Sequence, residues 1–127
     1  MKLTDSVDAL QHVGIPSKDL KEAIAFYESL GFKDIYETPN GDQNVAFMQH
    51  GDLVIELYDH TEVAGKPGAI HHIALNCTDI DAAYAACQEL GCTFMDHITP
   101  LPFWSNGIKY FSILGPNSEV IEVCQKL

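Results

Sequence analysis

Arginine is missing from all 127 residues, and the seven basic side chains are all lysine, set against 18 Asp and Glu for a net charge of -11. That balance excludes a nucleic-acid binder and a protein that docks on an anionic membrane. It also removes the side chain best suited to bidentate capture of a carboxylate or phosphate. Long apolar runs are missing too: nothing approaches the roughly 18 residues of a membrane span. The start, Met1 to Asp5, lacks the apolar core of a signal peptide, so a soluble cytoplasmic protein is expected. Cys77, Cys87, Cys92 and Cys124 show no Cys-x-x-Cys spacing, and each lies in or beside an apolar segment. They read as small buried thiols in a reducing compartment, not as a disulfide framework or zinc knuckle.

What is present is a repeat. Shifting the chain by 60 places His12 on His72, and six pairs between His12 and Gly31 are then identical: His12/His72, Asp19/Asp79, Ala23/Ala83, Ala25/Ala85, Leu30/Leu90 and Gly31/Gly91. Val13/Ile73, Ile15/Leu75 and Leu20/Ile80 exchange one apolar side chain for another, as two copies of one packed unit should. The far ends match as well, Leu53 to Leu57 with Glu119 to Val123, at an offset of 66 that demands six extra loop residues in the second copy. With 46% hydrophobic content, the chain is expected to form a single domain over 1–127. Its first module covers about 7–58, its linker 59–69 and its second module about 70–127.

Local signals give each module the order βαβββ, an α+β fold. Val7 to Ile15 reads as a strand stopped by Pro16. Ser17 or Asp19 caps a helix with Leu20, Ala23, Ile24, Tyr27 and Leu30 on one face and Gly31 as its stop. Phe32 to Glu37 is a strand, Thr38 to Asp42 a turn, and Asn44 to Gln49 with Leu53 to Tyr58 a hairpin. The second copy reads as strand Ile70 to Asn76, helix Ile80 to Leu90, strand Thr93 to His97, an irregular loop Thr99 to Gly107, and strands Ile108 to Leu114 and Val120 to Cys124. The apolar side chains of Leu101, Phe103 and Trp104 are unusual in a solvated loop.

Each module thus opens with a histidine-bearing strand and closes with a glutamate-bearing one. Alone, a strand histidine is usually a hydrogen-bonded structural residue, and a glutamate between apolar neighbours usually faces solvent by alternation. Repetition of both in both copies points to convergence of His12, Glu56, His72 and Glu122. Two imidazoles and two carboxylates suit a six-coordinate divalent ion with two positions left for water or substrate; a closed zinc site would be four-coordinate and thiolate-rich. His71 is expected on the face opposite His72 by alternation, hence non-ligating. His50, His60 and His97 have no counterpart in the other copy and read as surface residues, with His97 the one that comes near the cleft.

The stretches Leu10 to Leu20, Phe26 to Phe32, Ile70 to Leu75 and Tyr110 to Asn117 resemble the vicinal oxygen chelate superfamily, which holds glyoxalases, bleomycin-resistance proteins and extradiol dioxygenases. The resemblance implies paired βαβββ modules, tandem in the chain, forming a curved open sheet around a metal cleft. Its ligands would match His12, Glu56, His72 and Glu122. All four together are the pattern of glyoxalase I, whereas bleomycin binders usually lack them and extradiol dioxygenases lack the first glutamate. That implies a lyase making a thioester from a hemithioacetal, with Glu122 as base and Glu56 opposite, one divalent ion per site (Ni2+, Co2+ or Zn2+, with Mn2+ and Fe2+ also fitting) and a homodimer. Methylmalonyl-CoA epimerases are also similar, and a metal-free small-molecule binder is the reading from another class. Phe47, Phe103, Trp104, Lys109 and Tyr110 are expected to line the substrate pocket, with the 101–104 loop setting specificity. Glutathione-using glyoxalases present arginine where this chain has Ser17-Lys18.

Overall fold

A computed structural model describes residue 5 and residues 11–68 and 70–127. The chain divides into two compact units, Met1–Thr61 and Glu62–Leu127. In unit 1 the order is β1 (Val13–Ser17), α1 (Leu20–Ser29), β2 (Lys33–Asn40), β3 (Gln43–His50) and β4 (Leu53–Asp59). The strands lie as β1-β4-β3-β2, with β1 parallel to β4 and the other neighbours antiparallel. Unit 2 repeats this with β5 (His72–Asn76), α2 (Ile80–Glu89), β6 (Thr93–Leu101), β7 (Ile108–Leu114) and β8 (Val120–Lys126), ordered β5-β8-β7-β6. The fold is therefore α+β, one helix and one four-stranded mixed sheet per unit. Among the described residues no helix is long and apolar enough to cross a membrane.

Local chemistry explains the helices. Asp19, not Ser17, caps α1: its Oδ1 accepts the Glu22 backbone N–H at 3.1 Å. Asp79 does the same for α2 through Ala82 N–H at 3.1 Å. At the other end Gly31 turns to φ +100 and Gly91 to φ +73. This left-handed step lets Phe32 N–H reach Tyr27 C=O at 3.0 Å and Cys92 N–H reach Cys87 C=O at 3.1 Å. Leu20, Ala23 and Tyr27 of α1 are buried, as are Ala46, Met48, Ile55 and Leu57, which are cross-strand partners in β3 and β4. Unit 2 builds its core from Ile80, Cys87, Phe111, Ile113, Ile121 and Val123. Each fully buried aliphatic side chain there contributes about 1.5–3 kcal/mol.

Prolines mark where the strands depart from expectation. Pro16 does not stop β1 but sits within it opposite Tyr58. β2 runs on through Pro39 to Asn40, leaving a two-residue turn, and β6 continues through Pro100 to Leu101 instead of ending at His97. All three lie on edge strands, where a missing N–H need not cost a ladder bond. β5 is shorter than expected, beginning at His72, not Ile70. Residues 7–10 of the first expected strand and Ala69 of the linker lie outside the described residues.

The registers locate the six extra residues of the second copy. Gly14 pairs with Glu56, Glu56 with Phe47 and Phe47 with Tyr36; in the same way Ala74 pairs with Glu122, Glu122 with Ser112 and Ser112 with Asp96. Between Asp96 and Ser112 the chain is five residues longer than between Tyr36 and Phe47. Irregular register in β6 and the longer 102–107 loop take up the difference. The β7–β8 turn holds the sixth. The insertion is thus split between two turns instead of occupying one loop.

Candidate functional site

The lateral row of each sheet positions its glutamate. Ile55 and Leu57 point into the core of unit 1, so Glu56 between them projects from the face opposite α1, half-buried. Gly14 lies beside it without a side chain: a Cβ built there would stand 3.6 Å from Glu56 Oε1 and 3.7 Å from Tyr58 Cε1. His12 comes two residues earlier, exposed, with its ring edge-on to Phe47 at 5.9 Å and its Nδ1 against the Gln11 side-chain oxygen. Phe47 is flanked in turn by Tyr36 at 6.3 Å. Unit 1 therefore brings His12, Glu56 and Phe47 onto one sheet face.

Unit 2 repeats the arrangement on a more polar background. Glu122 stands between buried Ile121 and Val123, and His72 Nε2 lies 4.0 Å from Glu122 Oε1, beyond a direct hydrogen bond. Their side chains are 43% and 21% exposed, open enough for a ligand to reach both. Ser112 and Asp96 continue the row, where unit 1 has Phe47 and Tyr36. Tyr110 shares the Glu122 face through its pairing with Cys124. Burial, followed by the negative charge of Glu122, holds the Cys124 thiol above its usual range.

Other expected site residues fall elsewhere. Lys109, one residue from Tyr110, alternates to the opposite face and pairs with Pro100 and Gln125. Phe103 and Trp104 are exposed in the β6–β7 loop, Trp104 at φ +63 with Lys126 Nζ 3.9 Å above its ring. Trp104, Pro100, Pro102 and Ile108 wall an open pocket of about 550 Å³ there; Phe103 is not among its walls. His71 is not turned away from His72: it precedes the strand, and the two Nδ1 atoms lie 3.1 Å apart. His97 faces α2, where Tyr84 hydroxyl meets its Nδ1 and Phe94 stacks on it at 6.3 Å. His50 is exposed and His60 half-buried.

Ser112, Asp96 and Tyr36 were not anticipated. Alternation alone could not find Asp96, because register shifts flank it on both sides. Among the described residues no three His, Cys, Asp or Glu side chains within a unit gather around one point. Each unit presents instead one repeated histidine and one repeated glutamate.

The family model of the Glyoxalase/Bleomycin resistance protein/Dioxygenase superfamily matches residues 9–123. The chain belongs to that superfamily. It is 36% identical over 125 residues to the uncharacterized protein YwbC of Bacillus subtilis (strain 168), covering 92% of this chain and 97% of YwbC. Among solved structures it resembles TnmS3, an antibiotic binding protein from Streptomyces sp. CB03234, with a TM-score of 0.78, 24% identity and coverage of 96% and 98%. It also resembles the lactoylglutathione lyase of Agrobacterium tumefaciens, with a TM-score of 0.70, 19% identity and coverage of 94% and 95%. At these identities the structural likenesses speak for the superfamily fold, which a lyase and a binder share.

Proposed function

We propose that the chain is a metal-dependent lyase or isomerase of glyoxalase I type, in which His12, Glu56, His72 and Glu122 together hold one divalent ion. The observation that carries this reading is the repeated row: a glutamate beside a small residue, Gly14 or Ala74, with a histidine two positions before that residue. The donor set fits such an ion, being mixed nitrogen and oxygen, and His72 Nε2 and Glu122 Oε1 face each other without bonding. Bound there, a divalent ion supplies Lewis-acid polarisation of neighbouring substrate oxygens. Glu122 serves as the base that takes a proton from the carbon next to the carbonyl and returns it to the adjacent carbon. Glu56 occupies the matching position for the opposite side of the substrate. The substrate class is a hemithioacetal or a small hydroxy-carbonyl, and the lack of arginine favours a thiol less anionic than glutathione. A homodimer in the cytoplasm completes the proposal. An epimerase would use the same two glutamates as opposed acid and base.

The test is metal analysis of protein purified without a metal-affinity tag, paired with Glu122→Gln. About one ion per site, lost in the variant, supports the reading and leads to assays of methylglyoxal with a panel of thiols. Protein that stays folded but neither carries nor takes up metal refutes it. That outcome leaves the second reading, a metal-free binder, favoured by the adjoining rings of His12, Phe47 and Tyr36. Titration of metal-stripped protein with a planar aromatic ligand then decides for or against that reading.

A further inference from the structure

Two helix exits of the same geometry end in different chemistry. The left-handed turn after each helix brings the third residue from its C-terminal end against the second residue beyond the cap residue, a contact that commonly accompanies this motif. In unit 1 those residues are Tyr27 and Phe32, whose rings meet at 5.5 Å. In unit 2 the same two positions are Cys87 and Cys92: Cys92 N–H bonds Cys87 C=O at 3.1 Å, and burial followed by the neighbouring Cys92 raises the Cys87 thiol. Both cysteines are free.

We propose that Cys87 and Cys92 are a modification site, a dithiol that a low-molecular-weight disulfide converts to an intramolecular disulfide across the α2–β6 turn. Cys92 is the more exposed of the two, while Cys87 is 7% exposed. The Cys92 thiolate therefore attacks the small disulfide first, releasing one thiol and leaving a mixed disulfide. The Cys87 sulfur then attacks the Cys92 sulfur and expels the second thiol. Two protein S–H bonds become one S–S bond, the protein loses two electrons and two protons, and the small disulfide is reduced to two thiols. Burial pushes the Cys87 thiol up to about 11, so the second step accelerates with pH.

A second pair of cysteines also meets through its backbone. Cys77 N–H bonds Cys124 C=O at 2.9 Å, yet the Cys77 thiol turns to the Asp79 backbone N–H while Cys124 lies on the Glu122 face. Burial and, to a lesser degree, Cys124 raise the Cys77 thiol, so this second pair is the competitor that the experiment must separate from Cys87 and Cys92. The unit 1 counterpart, Tyr27 with Phe32, has no such chemistry at all.

The experiment treats the full chain with oxidised glutathione at pH 8 and at pH 9, blocks remaining thiols with N-ethylmaleimide, and reads intact mass and peptide maps. The expected product is about 2 Da lighter before blocking, accepts two maleimides instead of four, and yields a peptide linked through Cys87 and Cys92. The double variant Cys77→Ser, Cys124→Ser should still form the link; Cys92→Ser, checked for native circular dichroism, should not. A lasting glutathione adduct on Cys92 without the link, a link through Cys77 or Cys124, or four unreacted thiols at both pH values would overturn the proposal. Should Cys92→Ser fail to fold, Cys87→Ser answers the same question.

Discussion

Unit 1 is aromatic where unit 2 is polar, and the two differ at positions their registers make equivalent. On the face opposite the helix, Phe47 and Tyr36 continue the glutamate row in one unit, Ser112 and Asp96 in the other. On the helix side, large and small residues have traded places. Unit 1 buries Tyr27 in its helix and keeps Ala46 small in the sheet, whereas unit 2 has Cys87 in the helix and fills the sheet with Phe111, against which Tyr84 packs at 5.2 Å. Total volume is conserved while its location is not, which is how a packed core tolerates change. What has not moved is the pairing along each glutamate row, the two aspartate caps, the two glycine turns and the His and Glu of each row.

The comparison breaks most visibly at the glutamates. If both rows serve one ion, Glu56→Gln and Glu122→Gln should each abolish metal retention, and Glu122→Gln, losing base and ion together, should cost more in turnover than the ~10²–10⁴ of a base alone. Retention of metal by either variant separates the two rows. Core exchange comes next in size. Tyr27→Ala and Phe111→Ala should each cost about 3–5 kcal/mol in urea unfolding, and Cys87→Tyr, crowding a site that Phe111 already fills, about 1–3 kcal/mol. A stabilising Cys87→Tyr would show that volume was not traded.

A smaller asymmetry lies at the strand ends. Gln125 ties β8 to α2 by accepting Ile80 N–H at 2.8 Å and donating to Thr78 C=O at 3.0 Å. Its counterpart Asp59 instead accepts from Asn44 backbone and side chain at 3.1 and 3.2 Å. Gln125→Leu should cost about 1–3 kcal/mol and loosen hydrogen exchange at the start of α2, with no matching effect on α1 from Asp59→Leu. Alkali supplies another contrast confined to unit 2. Burial, then the Cys92 thiol, raises Cys87 from 9.0 to about 11, so the folded state keeps a proton that the unfolded chain releases. Stability is then full below pH 9 and falls as pH rises through about 11. Cys87→Ala should flatten that fall in a pH series of denaturation midpoints. The least effect is expected from Asp19→Ala and Asp79→Ala, about 1 kcal/mol each and equal within error if the caps are equivalent.

Helix limits, caps and the duplicated order were legible because they rest on local chemistry: Asp before an apolar face, Gly after it. Strand ends were not, since Pro16, Pro39 and Pro100 stop a central strand but not an edge strand, and edge position is a property of the whole sheet. Alternation places His71 on the far face only if β5 begins at Ile70; with the strand starting at His72, alternation does not reach it. The repeated His and Glu stood out in the sequence, and Glu56 opposite Gly14 and Glu122 opposite Ala74 hold equivalent places in their sheets. Asp96 and Ser112 stayed hidden because bulges erase the period-two signal on which such a reading depends.

The loop that absorbs most of the second copy's extra length also carries the chain's single tryptophan, with a lysine ammonium resting on its ring. Fluorescence excited at the indole band therefore watches that hairpin alone. Its intensity should follow events at the 102–107 loop, such as occupation of the adjoining pocket, and respond to Lys126→Ala. The cores around Tyr27 and Phe111 would melt almost unseen at that wavelength.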